Sequence, residues 1–127
     1  MDEHTESKQR AANLQTANKA LEEIGKLIIW QTEKINDEVR RVNSTHPNVV
    51  TIEPFIFFPL GKTGREIDVE DVKLVSEWLG ELKENDSLYS GIDFAPLEAL
   101  TVEWRQAWET RGSDRRRLRV RNKKDQN

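Results

Sequence analysis

The chain lacks cysteine, and it has only two histidines among its 127 residues. Disulfides, thiolate metal sites and cysteine nucleophiles are therefore excluded, and a reducing, intracellular compartment is favoured. Zinc requires three or four ligands, and neither His4 nor His46 has a suitable third ligand at metal spacing. We therefore expect no metal and no other cofactor, and we expect His46, next to Pro47, to lie at a helix end.

Long hydrophobic runs are also absent. No apolar stretch approaches the ~18 residues of a membrane span. The charged start of the chain is not followed by a hydrophobic signal region. We expect a cytoplasmic or nuclear protein that is not secreted and has no membrane partner.

Catalytic motifs are scarce as well. The sequence contains no G-x-S-x-G, no H-E-x-x-H and no Gly-rich dinucleotide turn. The GKTG stretch at 61–64 resembles part of a phosphate loop, but that motif needs a glycine where Ile56 stands and a helix that starts at the lysine. The four carboxylates between residues 66 and 71 lie at a predicted helix start, where capping accounts for them. We therefore predict that the chain is not an enzyme.

Charge is abundant but unevenly distributed. Residues 1–110 contain 12 Lys and Arg against 21 Asp and Glu, a net charge of −9, whereas residues 111–127 contain 8 basic and 2 acidic residues, a net charge of +6. The two values add up to the −3 of the whole chain. The asymmetry predicts an acidic folded part and a basic tail.

The first third of the chain has helical periodicity. Apolar residues recur seven positions apart between Leu14 and Val42, which predicts one long helix that stops before Pro47. Gly25 is the only interruption, and it suggests a close approach by another backbone. At 1.5 Å per residue, the helix would be about 50 Å long, more than a compact domain of this size needs.

Two interpretations of this helix remain open. In the first, a coiled-coil segment at 12–43 associates with a second copy, giving a homodimer or another homo-oligomer. In the second, the helix belongs to an intramolecular bundle, because Gln31 and Glu38 break the second apolar row of a coiled coil. The predicted oligomer or partner interface consists of Leu14, Leu21, Ile24, Ile28, Ile35 and Val42.

Residues 48–61 change character, because they are rich in β-branched and aromatic residues and contain Pro54 and Pro59. Two prolines disfavour both a helix and a central strand, so we predict an extended connector. The alternative is a small α+β fold with a two-stranded hairpin at 49–58. Seven large apolar residues are assigned either to the core or to a docking surface: Phe55, Phe57, Phe58, Leu60, Trp78, Trp104 and Trp108.

Two shorter helices are predicted after the connector. Asp68 is the expected N-cap of the first, and a Trp78-bearing apolar stripe follows it. The second is expected to start near Pro96 and to end at Gly112. The remaining residues, 112–127, contain too few apolar side chains to offset the entropy of ordering, so we expect them to be disordered.

The basic tail is suited to a polyanion, since arginine pairs well with phosphates. It contains no aromatic residue for base stacking, so its composition does not decide between nucleic acid, an import receptor and an acidic protein surface, including that of a neighbouring subunit. The predicted contact residues are Arg115, Arg116, Arg117, Arg119, Arg121, Lys123 and Lys124.

These patterns predict a mainly α protein with a disordered N-terminus at 1–8, one helical domain at 9–111 and a disordered basic tail at 112–127. The leading functional hypothesis is a non-catalytic, self-associating interaction module that acts as an adaptor or structural subunit of an intracellular assembly. The alternative is a nucleic-acid-binding accessory protein that contacts phosphates through its tail.

Overall fold

The structure is a computed structural model. It describes the backbone of residues 3–56 and 63–125 and, within these ranges, the side chains of 15–56, 63–85 and 87–111. The elements in chain order are α1 (Glu3–Thr45), a 3-10 turn (Gly64–Glu66), α2 (Val69–Glu84), α3 (Asp86–Tyr89) and α4 (Ala95–Asp125). The mainly α fold with a long N-terminal helix is confirmed. The alternative hairpin does not form in its described part, 49–56, where the backbone is irregular.

The C-terminal end of α1 is fixed by local hydrogen bonds. The Thr45 hydroxyl donates to Val42 O at 2.8 Å, and His46 Nδ1 lies 2.9 Å from the same carbonyl oxygen. Carbonyl groups in the last turn of a helix lack helical partners, so these contacts satisfy one of them. His46 is thus a helix-end residue, as its position next to Pro47 predicts.

The turn after the connector packs directly onto α1. Gly64 is buried, and a Cβ atom built on Gly25 would overlap the Gly64 carbonyl group. A Cβ atom built on Gly64 would in turn overlap the Glu22 carbonyl oxygen. The close approach predicted for Gly25 is therefore confirmed, and the described part of the GKTG stretch packs on a helix. The next α-helix, α2, begins only at Val69.

A reciprocal capping box starts α2. The Asp68 carboxylate accepts from Asp71 N at 2.9 Å, and the Asp71 carboxylate accepts from Asp68 N at 3.1 Å. Both carboxylates satisfy backbone N–H groups that have no partner inside the helix. The predicted N-cap is confirmed, and these two carboxylates have a structural role.

The outer limits of the helical region differ from the sequence-based prediction. α1 begins at Glu3 and α4 continues past Gly112 to Asp125, where disorder was expected at both termini. One glycine costs a helix about 1 kcal/mol, and the residues after Gly112 include no proline and many arginines, which favour helix. Nothing local is therefore strong enough to end α4 at Gly112. The short helix α3 was not predicted either.

The helix α4 lies antiparallel along α1. Arg111 of α4 donates to Asn18 near one end, while Pro96 of α4 and Lys34 of α1 line one cleft near the other. Between these points the two helices bury their apolar faces together with α2, α3 and the connector. The core comprises Leu21, Ile28, Ile35, Val39, Val42, Phe55, Ile67, Val72, Val75, Trp78, Leu79, Leu82, Tyr89, Ile92, Leu97 and Trp104.

Candidate functional site

The connector is held in place by side chains of the helices rather than by a β-sheet. Asn36 of α1 donates from Nδ2 to Phe55 O at 2.8 Å and accepts at Oδ1 from Phe55 N at 2.6 Å. One amide side chain thus makes the two bonds that a neighbouring strand would make. Because both residues are buried, water does not compete for these bonds.

A second set of bonds fixes the connector about two helical turns further along α1. Asn43 donates to Ile52 O at 2.8 Å, and the Tyr89 hydroxyl accepts from Ile52 N at 2.9 Å while donating to Asn43 Oδ1 at 2.7 Å. Trp78 of α2 adds a bond from its indole N–H to Glu53 O at 2.9 Å. Residues 52–55 are therefore tied to three helices.

The anchored connector and α2 form the walls of an open groove of about 530 Å³, which we name the connector groove. From α2 it receives Leu74, Glu77, Trp78 and Glu81, which share one helical face because they are three or four positions apart. From the connector it receives Thr51, Ile52, Glu53, Pro54, Phe55 and Ile56.

The floor of the connector groove is apolar and partly unfilled. The Phe55 and Trp78 rings lie 5.5 Å apart at an interplanar angle of 50° and join the core. Ile56, in contrast, is 73% exposed. Its side chain points out of a backbone segment that the neighbouring helices hold in place. An isoleucine so exposed beside a groove is a candidate contact for another molecule.

The rim of the connector groove is acidic. Glu53, Glu77 and Glu81 are exposed, and none of the three carboxylates forms an ion pair or hydrogen bond with another side chain among the described residues. Some other surface glutamates are paired: Glu98, for example, lies 2.7 Å from Lys83. Three uncompensated negative charges beside an apolar floor favour a ligand that combines apolar and basic groups.

A second cleft, of about 730 Å³, lies between α1, the 3-10 turn and α4. Trp104 and Trp108 stack in it with centroids 5.4 Å apart, and Arg111 lies over the Trp108 ring at 5.0 Å. Its charged lining has both signs and includes an ion pair of 3.4 Å between Arg65 and Glu22. The mixed charges give this cleft no clear preference for one ligand class.

The structure also exposes two large apolar residues on the outer side of α1. Trp30 is 52% exposed, Leu27 is 48% exposed, and Lys34 lies over the Trp30 ring at 4.3 Å. The lysine covers one face of the indole through a cation–π contact. Neither Trp30 nor Leu27 lines one of the clefts described above, so we regard the connector groove as the stronger candidate.

Most of the α1 residues predicted to form an oligomer interface pack inside their own chain. Four of its residues are buried in the core of the same chain, and Ile24 is partly buried against that core. The four are Leu21, Ile28, Ile35 and Val42. The side chain of Leu14 lies outside the described residues. In the packing seen here these four residues are covered by their own chain, while the predicted self-association itself stays a prediction.

The residues assigned to core or docking fall into three groups. Phe55, Trp78 and Trp104 belong to the core, while Trp108 is 36% exposed and stacks on Trp104. Phe57, Phe58 and Leu60 lie outside the described residues. The basic residues predicted to contact a polyanion lie on the helical backbone of α4 beyond Gly112, and their side chains are also outside the described part: Arg115, Arg116, Arg117, Arg119, Arg121, Lys123 and Lys124.

Sequence patterns identified Phe55 and Trp78 in the floor of the connector groove but missed the residues that anchor the connector and form the acidic rim. Asn36 and Asn43 lie seven positions apart on the buried side of α1, and a polar residue within an apolar stripe usually has a specific partner. That signal was available, although it does not name the partner. Glu77 and Glu81 carry no such signal, because surface glutamates are common on helices.

No group of three or more metal-ligating side chains occurs among the described residues. No helix in that part of the chain is long and apolar enough to cross a membrane. Searches against family models, curated proteins and solved structures found no match to this chain.

Proposed function

We propose that this chain is a non-catalytic interaction module, an adaptor or structural subunit that docks a basic and apolar protein segment in the connector groove. The observation that carries the proposal is Ile56, an exposed apolar side chain directly after Phe55, whose backbone Asn36 holds through two hydrogen bonds. A surface that is already ordered loses little conformational entropy when it binds, so a small area is enough for useful affinity.

The composition of the groove supports a protein partner. Protein interfaces typically combine an apolar centre with a polar rim, and here Phe55, Ile56 and Trp78 are surrounded by three glutamates. The carboxylates would steer a basic segment towards the groove and fix its orientation. The apolar floor would supply most of the affinity.

The non-catalytic assignment is supported by the roles of the acidic residues at the start of α2. Asp68 and Asp71 cap backbone N–H groups, and Glu66 accepts from Thr63 in the preceding turn at 3.0 Å. Groups engaged in such bonds are poorly suited to move protons for a substrate.

A second candidate function is nucleic-acid binding through the tail. It is favoured by one observation, the net charge of +6 on residues 111–127. In this case affinity would fall steeply with salt, because each neutralised phosphate releases counterions. A salt titration with duplex DNA and single-stranded RNA measures that slope, and replacing Arg115 and Arg119 by glutamate would reduce both the affinity and the slope.

The docking proposal can be tested with a designed peptide. A short fluorescent peptide of arginine and leucine, with arginines four positions apart, is titrated with the full chain and followed by anisotropy. We expect binding, and about tenfold weaker binding to the Ile56→Ser variant, which corresponds to about 1.4 kcal/mol. Val102→Ser is the matched control, because Val102 is similarly apolar and exposed but lies on α4, outside the groove.

A peptide with glutamate in place of each arginine tests the acidic rim, and we expect it not to bind. Urea denaturation of both variants checks that stability changes by no more than about 0.5 kcal/mol, as expected for surface sites. The proposal is wrong if neither peptide binds, or if Val102→Ser weakens binding as much as Ile56→Ser.

A further inference from the structure

We propose that the natural occupant of the connector groove is the basic tail of a second copy of this chain. The inference rests on the proposed docking function and names its partner. It differs from the predicted seam along α1, four of whose residues are buried in the chain's own core, by proposing another mode of self-association.

Charge complementarity is the first argument. The body of the chain carries −9 and residues 111–127 carry +6. The groove contributes three carboxylates without a basic partner among the described residues. The tail provides the matching chemistry, because Leu118 and Val120 alternate with arginines between residues 117 and 121. Apolar residues flanked by arginines are the type of segment that the groove selects.

The spacing of the charges also agrees. Glu77 and Glu81 lie four positions apart on α2 and therefore one turn apart on the same face. Arg115 and Arg119 have the same spacing, and the backbone of α4 is helical through both positions. Leu118 occupies the same face, three positions after Arg115. The spacing therefore allows Arg115 and Arg119 of one helix to pair with Glu77 and Glu81 of the other. Leu118 lies between the two arginines in the sequence.

The direction of α4 explains why a second copy is required. Arg111, where the tail begins, contacts Asn18 of α1, whereas the groove is anchored at Asn36 and Asn43. Asn18 and Asn36 are separated by about 27 Å along the helix. Because α4 is antiparallel to α1, its continuation leads further from the groove of its own chain. A helical tail therefore reaches a groove only on another molecule.

The tail–groove contact also determines how copies of the chain assemble. Each copy offers one tail and one groove, which are different surfaces. Such a contact either closes reciprocally into a dimer, with two tail–groove contacts, or continues as an open chain. In both cases association is electrostatic in part and weakens as salt increases.

Sedimentation equilibrium of the full chain tests the proposal. We expect self-association that weakens at least tenfold between low and high salt. The groove variant Glu77→Lys/Glu81→Lys and the tail variant Arg115→Glu/Arg119→Glu are each expected to be monomeric. An equimolar mixture of the two is expected to associate, because the groove variant keeps its basic tail and the tail variant keeps its acidic groove. Glu103→Lys, at an exposed position on α4 outside the groove, is the control and should behave like the original chain.

Several outcomes would overturn the proposal. The first is that the original chain is monomeric at about 100 μM, a concentration at which even weak specific contacts are populated. The second is that only one of the two variants loses association. The third is that the mixture of the two variants stays monomeric. Association that appears only when nucleic acid is added would also overturn it in favour of a polyanion partner. If the original chain is monomeric but the designed peptide still binds the groove, this inference fails while the docking function stands.

Discussion

Asn36 binds both the N–H and the C=O of Phe55, with donor–acceptor distances of 2.6 and 2.8 Å. The residues are 19 positions apart in the chain, and both are buried. An amide side chain has one acceptor and one donor group, so it can replace a neighbouring strand at a single residue. The order of the connector, and with it the shape of the groove, depends on this pair.

Replacing Asn36 by alanine is expected to destabilise the fold. The substitution removes two buried hydrogen bonds from Phe55 and leaves a small void. At about 1–3 kcal/mol for each of the two buried polar groups deprived of its bond, the free energy of unfolding should fall by about 2–6 kcal/mol. Urea denaturation followed by tryptophan fluorescence measures the change. The neighbouring exposed residue provides the control: Asp37→Ala should change stability by less than about 0.5 kcal/mol. Equal losses in the two variants would contradict the anchoring role.

Replacing Gly25 and Gly80 by alanine is expected to change the stability of the fold in opposite directions. Alanine at an unhindered helical position stabilises by roughly 0.5–1 kcal/mol relative to glycine. Gly80 in α2 has nothing within 4 Å of an added Cβ, so Gly80→Ala should stabilise. A Cβ at Gly25 meets the Gly64 backbone, which cannot rotate away as a side chain would. Gly25→Ala should therefore destabilise by about 1–3 kcal/mol.

Thermal or urea unfolding of the two glycine variants measures the direction of each stability change. A stabilised Gly25→Ala variant would mean that the 3-10 turn is not packed against α1 as the structure shows.

The sequence predicts those features that depend on the chemistry of single residues. Asp68 caps α2 because its carboxylate accepts from a backbone N–H two or three residues later, and such a cap needs no information from the rest of the chain. Gly25 could be identified because glycine is costly inside a helix unless something requires the space. The long α1 follows from its regular apolar spacing.

What covers α1 could not be predicted in the same way. The α4 residues of the core all precede Gly112, so the shorter predicted helix already contained them, and α2, α3 and the connector supply the rest of the cover. In the structure, α4 has 31 residues and packs along α1 together with the connector. The bonds from Asn36 and Asn43 to the connector join residues distant in sequence. Neither the periodicity of a helix nor a local motif indicates which distant backbone a buried asparagine will meet.

The row on α1 can be tested directly as a core rather than an interface. Ile28 is fully buried, and Ile28→Ala should reduce the free energy of unfolding by about 2–5 kcal/mol, through lost burial and the cavity that remains. Leu27, its half-exposed neighbour, is the control, and Leu27→Ala should cost less than about 1 kcal/mol. The loss should not depend on protein concentration, because the contacts are within one chain. A concentration-dependent loss at Ile28 would restore the seam between copies.

Two buried threonines provide the last prediction. Thr32 in α1 is completely buried, and its hydroxyl has no hydrogen-bond partner among the described residues. Thr101 in α4 is also buried, but its hydroxyl donates to Glu98 O at 2.7 Å. Valine has nearly the same shape as threonine without the hydroxyl group. Thr32→Val removes a buried polar group that forms no bond, so it should stabilise the fold by about 1 kcal/mol. Thr101→Val removes a formed bond and should destabilise by about 0.5–1.5 kcal/mol. Urea denaturation of both variants measures the difference, and a destabilised Thr32→Val variant would show that the Thr32 hydroxyl is bonded in solution.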